Sequence, residues 1–213
     1  MGEIILVRHG QANSAAKTEE EYDRLSDLGH RQAALLGDWM RDHGYDFDHV
    51  WSGTLRRHRE TVAGMGLGAD EDARLNEIDY YRLSQAMHDV KGEPFPGPDD
   101  FADHMPKVFA AWKAAEIEGQ ETYHAFEDRV AELLAEAAVP GRRLLCVTSG
   151  GVIGMVLRHL LDLDLMKMSA VMLPIWNTSV TRVHVRPRGP ILAGFNAIPH
   201  LDRPELSAVR THY

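Results

Sequence analysis

The first apolar block of the chain, Ile4-Ile5-Leu6-Val7, runs without interruption into the polar turn Arg8-His9-Gly10. A short continuous run rich in β-branched residues predicts a buried strand. The polar stretch from Gln11 to Arg24 predicts a loop. Ser26 then precedes Ala33, Leu35, Leu36, Trp39 and Met40, whose helical spacing predicts a Ser26-capped helix that Gly44 ends. A short strand over His49 to Ser52 follows, and a helix from Leu55 toward Met65 stops in Gly64-Met65-Gly66-Leu67-Gly68. This βαβα order favours a parallel sheet covered by helices.

The segment from about 80 to 119 breaks that rhythm. Its turn-rich Gly92-Glu93-Pro94-Phe95-Pro96-Gly97-Pro98 is flanked by two short helical patterns. Irregular insertions between regular units are where lids and substrate-selecting caps reside. Tyr80, Tyr81, Arg82, His88 and Lys91 are its candidate selectors, mixing aromatic and cationic character. A helix from Thr122 to Ala138 resumes the core pattern, and Arg142 to Val147 predicts a strongly apolar third strand. That strand enters Thr148-Ser149-Gly150-Gly151, followed by a helix from Val152 to Leu161. Two β-rich runs, Ser179 to Val185 and Ile191 to Ala197, are expected to pair at a sheet edge, where they permit a homodimer without requiring one. The pattern describes one α/β domain over residues 1–213, a three-layer αβα sandwich on a mostly parallel central sheet. A helical and loop cap is inserted at about 80–119.

Composition narrows the function. With 213 residues, 44% hydrophobic and 26% charged, the chain suits one globular domain with a substantial core. A formal charge of −9, with Arg56-Arg57-His58-Arg59 as the one compact basic run, disfavours a nucleic-acid partner. The single cysteine, Cys146, lies in an apolar run and is expected as a small buried hydrophobe. The sequence opens on a strand, with no signal-like apolar region and no membrane-length run, so a cytoplasmic location away from membranes is expected. His-Glu-x-x-His, His-x-His, paired cysteines and the glycine patterns of nucleotide sites are all missing, so no metal and no cofactor is expected.

Three sheet-edge turns carry the polar chemistry: Arg8-His9-Gly10, Ser52-Gly53-Thr54-Leu55-Arg56-Arg57, and Thr148-Ser149-Gly150-Gly151. In an open α/β sheet such turns can converge on one crevice. Two arginines and a histidine there would hold a phosphoryl group through charge-assisted, partly bidentate bonds, with glycine letting backbone approach the anion. A neutral imidazole could attack phosphorus, provided its other nitrogen donates to a carbonyl that sets the tautomer.

On these motifs the chain resembles the histidine phosphatase superfamily, the phosphoglycerate-mutase-like phosphatases, over nearly its whole length. Leu6-Val7-Arg8-His9-Gly10-Gln11 resembles the opening signature, which implies His9 as nucleophile and Arg8 as a phosphate clamp. Leu25-Ser26-Asp27-Leu28-Gly29-His30-Arg31-Gln32-Ala33 is similar to the entry of the first helix. Val50-Trp51-Ser52-Gly53-Thr54-Leu55-Arg56-Arg57-His58-Arg59-Glu60-Thr61 resembles the second signature, in a register that makes Arg57 the second phosphate ligand. Arg74-Leu75-Asn76-Glu77 is similar to the segment supplying the acid, which implies Glu77. Phe126-Glu127-Asp128-Arg129-Val130 and Asn177-Thr178-Ser179-Val180-Thr181 resemble further landmarks without chemistry. The fold implied is phosphoglycerate-mutase-like. The activity implied is metal-independent phosphomonoester hydrolysis through phosphohistidine, on a small phosphorylated substrate or with inorganic phosphate bound.

Three positions depart from the pattern. Val147-Thr148-Ser149-Gly150-Gly151 carries serine where the family has a second catalytic histidine. Ser149 and the backbone at Gly150 can still donate to phosphate at a helix N-terminus, but without charge. Exchanging a charge-assisted bond for a neutral one costs roughly 1–2 kcal/mol, about 5- to 30-fold in rate. The asparagine expected six residues after the nucleophile is Ala15, leaving Asn13 as the substitute. After Glu77 the chain reads Ile78-Asp79-Tyr80-Tyr81, so Asp79 is a second candidate acid. Arg56 and Arg59 are expected on a solvated helix face, and His58, His88 and His124 as solvated surface or lid residues. A catalytically weak or inactive relative that binds a phosphorylated ligand or partner is the alternative function, with mutase-type phosphotransfer a minor one.

Overall fold

The structure, a computed structural model, describes residues 2–13, 15–16, 18–97 and 100–212. In chain order it contains β1 (Gly2–Arg8), α1 (Glu19–Tyr22), α2 (Asp27–Asp42), β2 (His49–Ser52), α3 (Arg56–Gly64) and β3 (Asp70–Glu71). There follow α4 (Tyr80–Lys91), α5 (Phe101–Lys113), α6 (Tyr123–Ala137), β4 (Arg143–Thr148), α7 (Gly150–Leu161), α8 (Leu165–Met172), β5 (Val180–Arg186) and β6 (Gly189–Ala197).

The strands form one sheet in the order β3-β2-β4-β1-β5-β6. The first four run parallel and the last two antiparallel, which gives a mostly parallel sheet with a hairpin at one edge. Successive side chains of a strand point to opposite faces, and both faces of this sheet are covered. Ile5, Val7, Leu145 and Val147 pack with Ala33, Leu36 and Met40 of α2 and Val62 of α3. Ile4, Leu6, Leu144 and Cys146 pack on the other side with Phe109, Phe126, Val130, Ile153, Val156 and Met168 from α5 to α8. Two-sided burial is why β1 and β4 read as unbroken apolar runs. Burial also raises the Cys146 thiol pKa, in keeping with a packing residue.

Ser26 caps α2, its side chain accepting from Gly29 N, and Gly44 sits just beyond the helix at φ 66°. Four local features differ from the sequence reading. The polar stretch before Ser26 contains the single turn α1. Strand β3 adds two residues to the sheet. Helix α7 begins at Gly150 rather than Val152, and the Gly151 amide in its first turn is taken up by Glu77 Oε2 at 2.8 Å. Helix α8 was not anticipated; eight residues are too few to display a period, although Asp164 caps it by accepting from Lys167 N at 2.8 Å.

Candidate active site

Strand register brings the three polar turns together. Arg8 lies opposite Thr148, and Ser52 opposite Val147. Past the strand ends, His9 N donates to Thr148 O at 2.9 Å and Gly53 N to Val147 O at 3.1 Å. All three turns therefore leave the same carboxyl edge of the sheet, with β1 and β4 adjacent at its centre.

His9 is only 2% exposed. Its Nδ1 lies 2.7 Å from Gly10 O, which makes Nδ1 the protonated nitrogen and leaves the lone pair on Nε2. Burial first, then the Arg57 and Arg8 guanidinium charges and His58, hold its pKa well below the usual imidazole value. The ring is thus a neutral base with one available nitrogen. Its backbone is fixed by Asn177, whose Nδ2 donates to His9 O at 3.1 Å. The next residue, Thr178, holds φ 56°, a left-handed conformation rare for a β-branched side chain, while its N–H donates to Arg8 O at 3.0 Å. Asn177 lines the cavity and was read from sequence only as a landmark.

The two arginines are both half-satisfied. Arg8 Nη1 donates to the carbonyls of Ile175 and His212, leaving its buried Nε without a partner. Arg57, fully buried, donates from Nη1 to Glu19 Oε1 at 2.6 Å and Asp23 Oδ1 at 3.2 Å, while its Nε and Nη2 have no partner. Three guanidinium N–H-bearing nitrogens are therefore buried and unspent beside His9, which marks a place for an anion. Glu19 and Asp23 belong to the stretch read as a loop, and no motif pointed to them. Burial pushes the Glu19 carboxyl up to about 7 against the opposing pull of Arg57.

Of the two candidate acids, the structure brings Glu77 to the cavity. Its Oε2 accepts from Gly151 N at 2.8 Å, at the start of α7. Asp79 instead caps α4, accepting from Arg82 N at 2.9 Å and Gln120 Nε2 at 3.0 Å, and does not line the cavity.

Several other expectations change. Asn13 donates its side-chain amide to Glu21 O at 3.1 Å and lies outside the cavity lining. Gly10 serves no anion: its N–H donates to Thr61 Oγ1 at 3.1 Å, and a Cβ there would collide with Gly29 O of α2. Ser149 makes no side-chain cap for α7; its Oγ lies 2.7 Å from Nε2 of His58. His58 is fully buried rather than solvated, whereas His88 and His124 are exposed. Arg56 and Arg59 lie on the solvated outer face of α3 as expected, paired with Glu60 and Glu71.

The cavity, about 890 Å³, is lined at one end by Arg8, His9, Arg57, Glu77 and Gly150. The 80–119 segment contributes a mostly apolar and aromatic wall, with Tyr80, Tyr81, Phe95, Phe101, Met105 and Phe109 beside the polar Ser84 and Gln85. Arg82, His88 and Lys91 do not line it; Arg82 is exposed, His88 stacks on Phe95 and Lys91 pairs with Glu116. Among the described residues no cluster of His, Cys, Asp and Glu is arranged to hold a metal ion, and no helix is long and apolar enough to cross a membrane.

Six mixed strands between helical layers, with a histidine and two arginines at the carboxyl edge, make this an α/β protein of phosphoglycerate-mutase-like architecture. The chain belongs to the histidine phosphatase superfamily (branch 1), whose profile matches residues 4–198. It is 24% identical over 191 residues to a 2,3-bisphosphoglycerate-dependent phosphoglycerate mutase of Neisseria meningitidis, covering 74% of this chain and 84% of that protein. A phosphoserine phosphatase from Entamoeba histolytica, solved with phosphoserine, superposes with a TM-score of 0.69 at 20% identity, covering 94% of this chain and all of the other. A phosphoglycerate mutase from Bacillus anthracis gives a TM-score of 0.67 at 16% identity, covering 93% and 94% of the two chains.

Proposed function

We propose that the protein is a phosphomonoesterase that works through a phosphohistidine on His9, on monoesters whose alcohol portion is apolar. The observation that carries this reading is the neutral, Nδ1-anchored His9 beside the unpartnered Arg8 Nε and Arg57 Nε and Nη2. His9 Nε2 attacks phosphorus, the ester P–O bond breaks, and Glu77 gives its proton to the leaving oxygen. Water then attacks the phosphohistidine while Glu77 takes the water's proton, the N–P bond breaks, and inorganic phosphate leaves. Arg8 and Arg57 supply positive charge to the phosphoryl oxygens throughout.

The mostly apolar wall of the cavity sets the substrate class. Arg8 and Arg57 are the only arginine or lysine residues lining it among the described residues, and the acidic residues there are Glu19 and Glu77. Among the described residues of the lining a second phosphate or carboxylate on the substrate would find no further arginine or lysine, which disfavours mutase-type chemistry on bisphosphates. The aromatic wall from Tyr80, Tyr81, Phe95 and Phe101, acting as a cap, instead suits a flat or aliphatic leaving group.

The test is hydrolysis of an aryl phosphate and of 3-phosphoglycerate, by wild type and His9→Ala, with and without chelator. The expected result is chelator-insensitive turnover favouring the aryl ester and reduced about a thousandfold or more in His9→Ala. Activity that survives the substitution would exclude a His9 nucleophile. Phosphate binding without turnover on any ester would move the protein to a ligand-binding role.

A further inference from the structure

His58 in the first turn of α3 and Ser149 in the turn after β4 are both fully buried, and 2.7 Å separates Nε2 from Oγ. The contact is accommodated on every side. Residue 53 is glycine, and a Cβ there would overlap His58 Nδ1. Ser149 sits at the N-cap position of α7, yet its hydroxyl forgoes the cap, and Glu77 takes the Gly151 amide in its place. The His58 ring centroid lies 5.7 Å from that of His9. Neither His58 nor Ser149 lines the cavity, but both adjoin residues that do: the His58 ring lies beside His9, and Ser149 precedes Gly150 in the chain.

The tautomer follows from the partners. His58 Nδ1 is buried with no hydrogen-bond partner. A buried N–H without an acceptor costs more than a bare lone pair, so the proton resides on Nε2 and is donated to Ser149 Oγ. The serine hydroxyl hydrogen then has no acceptor among the described residues. A hydroxyl that accepts one hydrogen bond becomes a stronger donor of the next.

We propose that His58 and Ser149 form one donor unit, in which His58 Nε2–H orients and polarises the Ser149 hydroxyl toward an oxygen of the phosphoryl group carried by His9. This rests on the phosphotransfer reading of His9. Ser149 touches the phosphoryl group, and His58 is a positioning residue acting through it. The same geometry says that position 149 cannot simply become histidine: His58 already fills the space a second imidazole would need.

The experiment measures kcat and KM on an aryl phosphate, and orthovanadate affinity by calorimetry, for His58→Ala, His58→Gln, Ser149→Ala, His58→Ala/Ser149→Ala, Ser149→His and His58→Ala/Ser149→His. His58→Ala and Ser149→Ala should each lower kcat about tenfold with KM little changed, and their combination should lose no more than either alone. His58→Gln, which keeps an N–H donor, should retain most of kcat. Ser149→His alone should be impaired, and adding His58→Ala should restore turnover to at least the wild-type level. Vanadate affinity should follow the same pattern. Wild type that turns over no ester yet binds vanadate would overturn the phosphatase reading and leave the variant series to judge the pair. Additive losses, or a His58→Ala and His58→Gln pair with unchanged kcat and vanadate affinity, would overturn the donor unit, as would wild type that does not bind vanadate.

Discussion

The Gly151 amide donates to Glu77 Oε2 at 2.8 Å, and a Cβ on residue 151 would overlap the same carboxylate at Oε1. Glycine at 151 is therefore a condition for the Glu77 carboxylate to keep this position. Gly151→Ala should drive the carboxylate away and lower kcat about a hundredfold, the scale of a lost general acid. At Gly150 a Cβ would meet nothing nearer than Arg8 Nε at 3.9 Å, so Gly150→Ala should cost no more than a few-fold. Equal losses in the two variants would dissociate the acid from this contact.

Glu19 competes with phosphate for Arg57. Its carboxyl titrates at about 7, so it is neutral below that pH and charged above it. Inorganic phosphate should therefore bind more weakly to wild type as pH rises from 6 to 8, beyond the change caused by phosphate ionisation itself. Glu19→Gln removes the competing charge and should bind phosphate roughly 3- to 10-fold more tightly at pH 8, with little difference at pH 6. Competitive inhibition constants for the two proteins across that range provide the comparison.

His200, buried with Nε2 2.9 Å from Thr178 Oγ1, has its pKa lowered by burial to about 4. The unfolded chain binds a proton there near 6.5, the native state only near 4. Native structure therefore binds fewer protons in this window, and its stability is fully present above pH 6.5 and lost as pH falls toward 4. His9 and His58 act in the same direction. His200→Gln should make the acid-side decline shallower, by up to about 3 kcal/mol at pH 4. Denaturant midpoints from pH 7 to 4 measure it; parallel curves would remove His200 from the account.

The last residues hold Arg8 in place. Arg8 Nη1 donates to His212 O, Asn177 N donates to Thr211 O at 2.7 Å, and Gln32 Nε2 donates to Val209 O at 2.6 Å and Thr211 Oγ1 at 2.8 Å. Truncation after Val209 should raise KM about tenfold and lower Tm by roughly 5 °C, from the loss of the three of these hydrogen bonds that Thr211 and His212 accept. Thermal unfolding and steady-state kinetics on the truncated chain check both.

Local sequence determined the elements whose burial or capping is written into a few adjacent residues. Ile4-Ile5-Leu6-Val7 and Leu144-Leu145-Cys146-Val147 had to be two-sided strands and Ser26 had to cap α2, while the resemblance of the surrounding motifs to the histidine phosphatase signatures singled out Arg8, His9, Arg57 and Glu77. Contacts between distant segments belonged to the tertiary structure. Glu19 meets Arg57 across 38 positions and His58 meets Ser149 across 91, distances over which neither period nor cap carries information. Asp79 and Glu77, two residues apart, became distinguishable only when one faced the cavity and the other capped a helix. Ser149 was legible as a departure, but its partner was not, because a buried histidine and an exposed one look the same until a glycine such as Gly53 makes room for the ring.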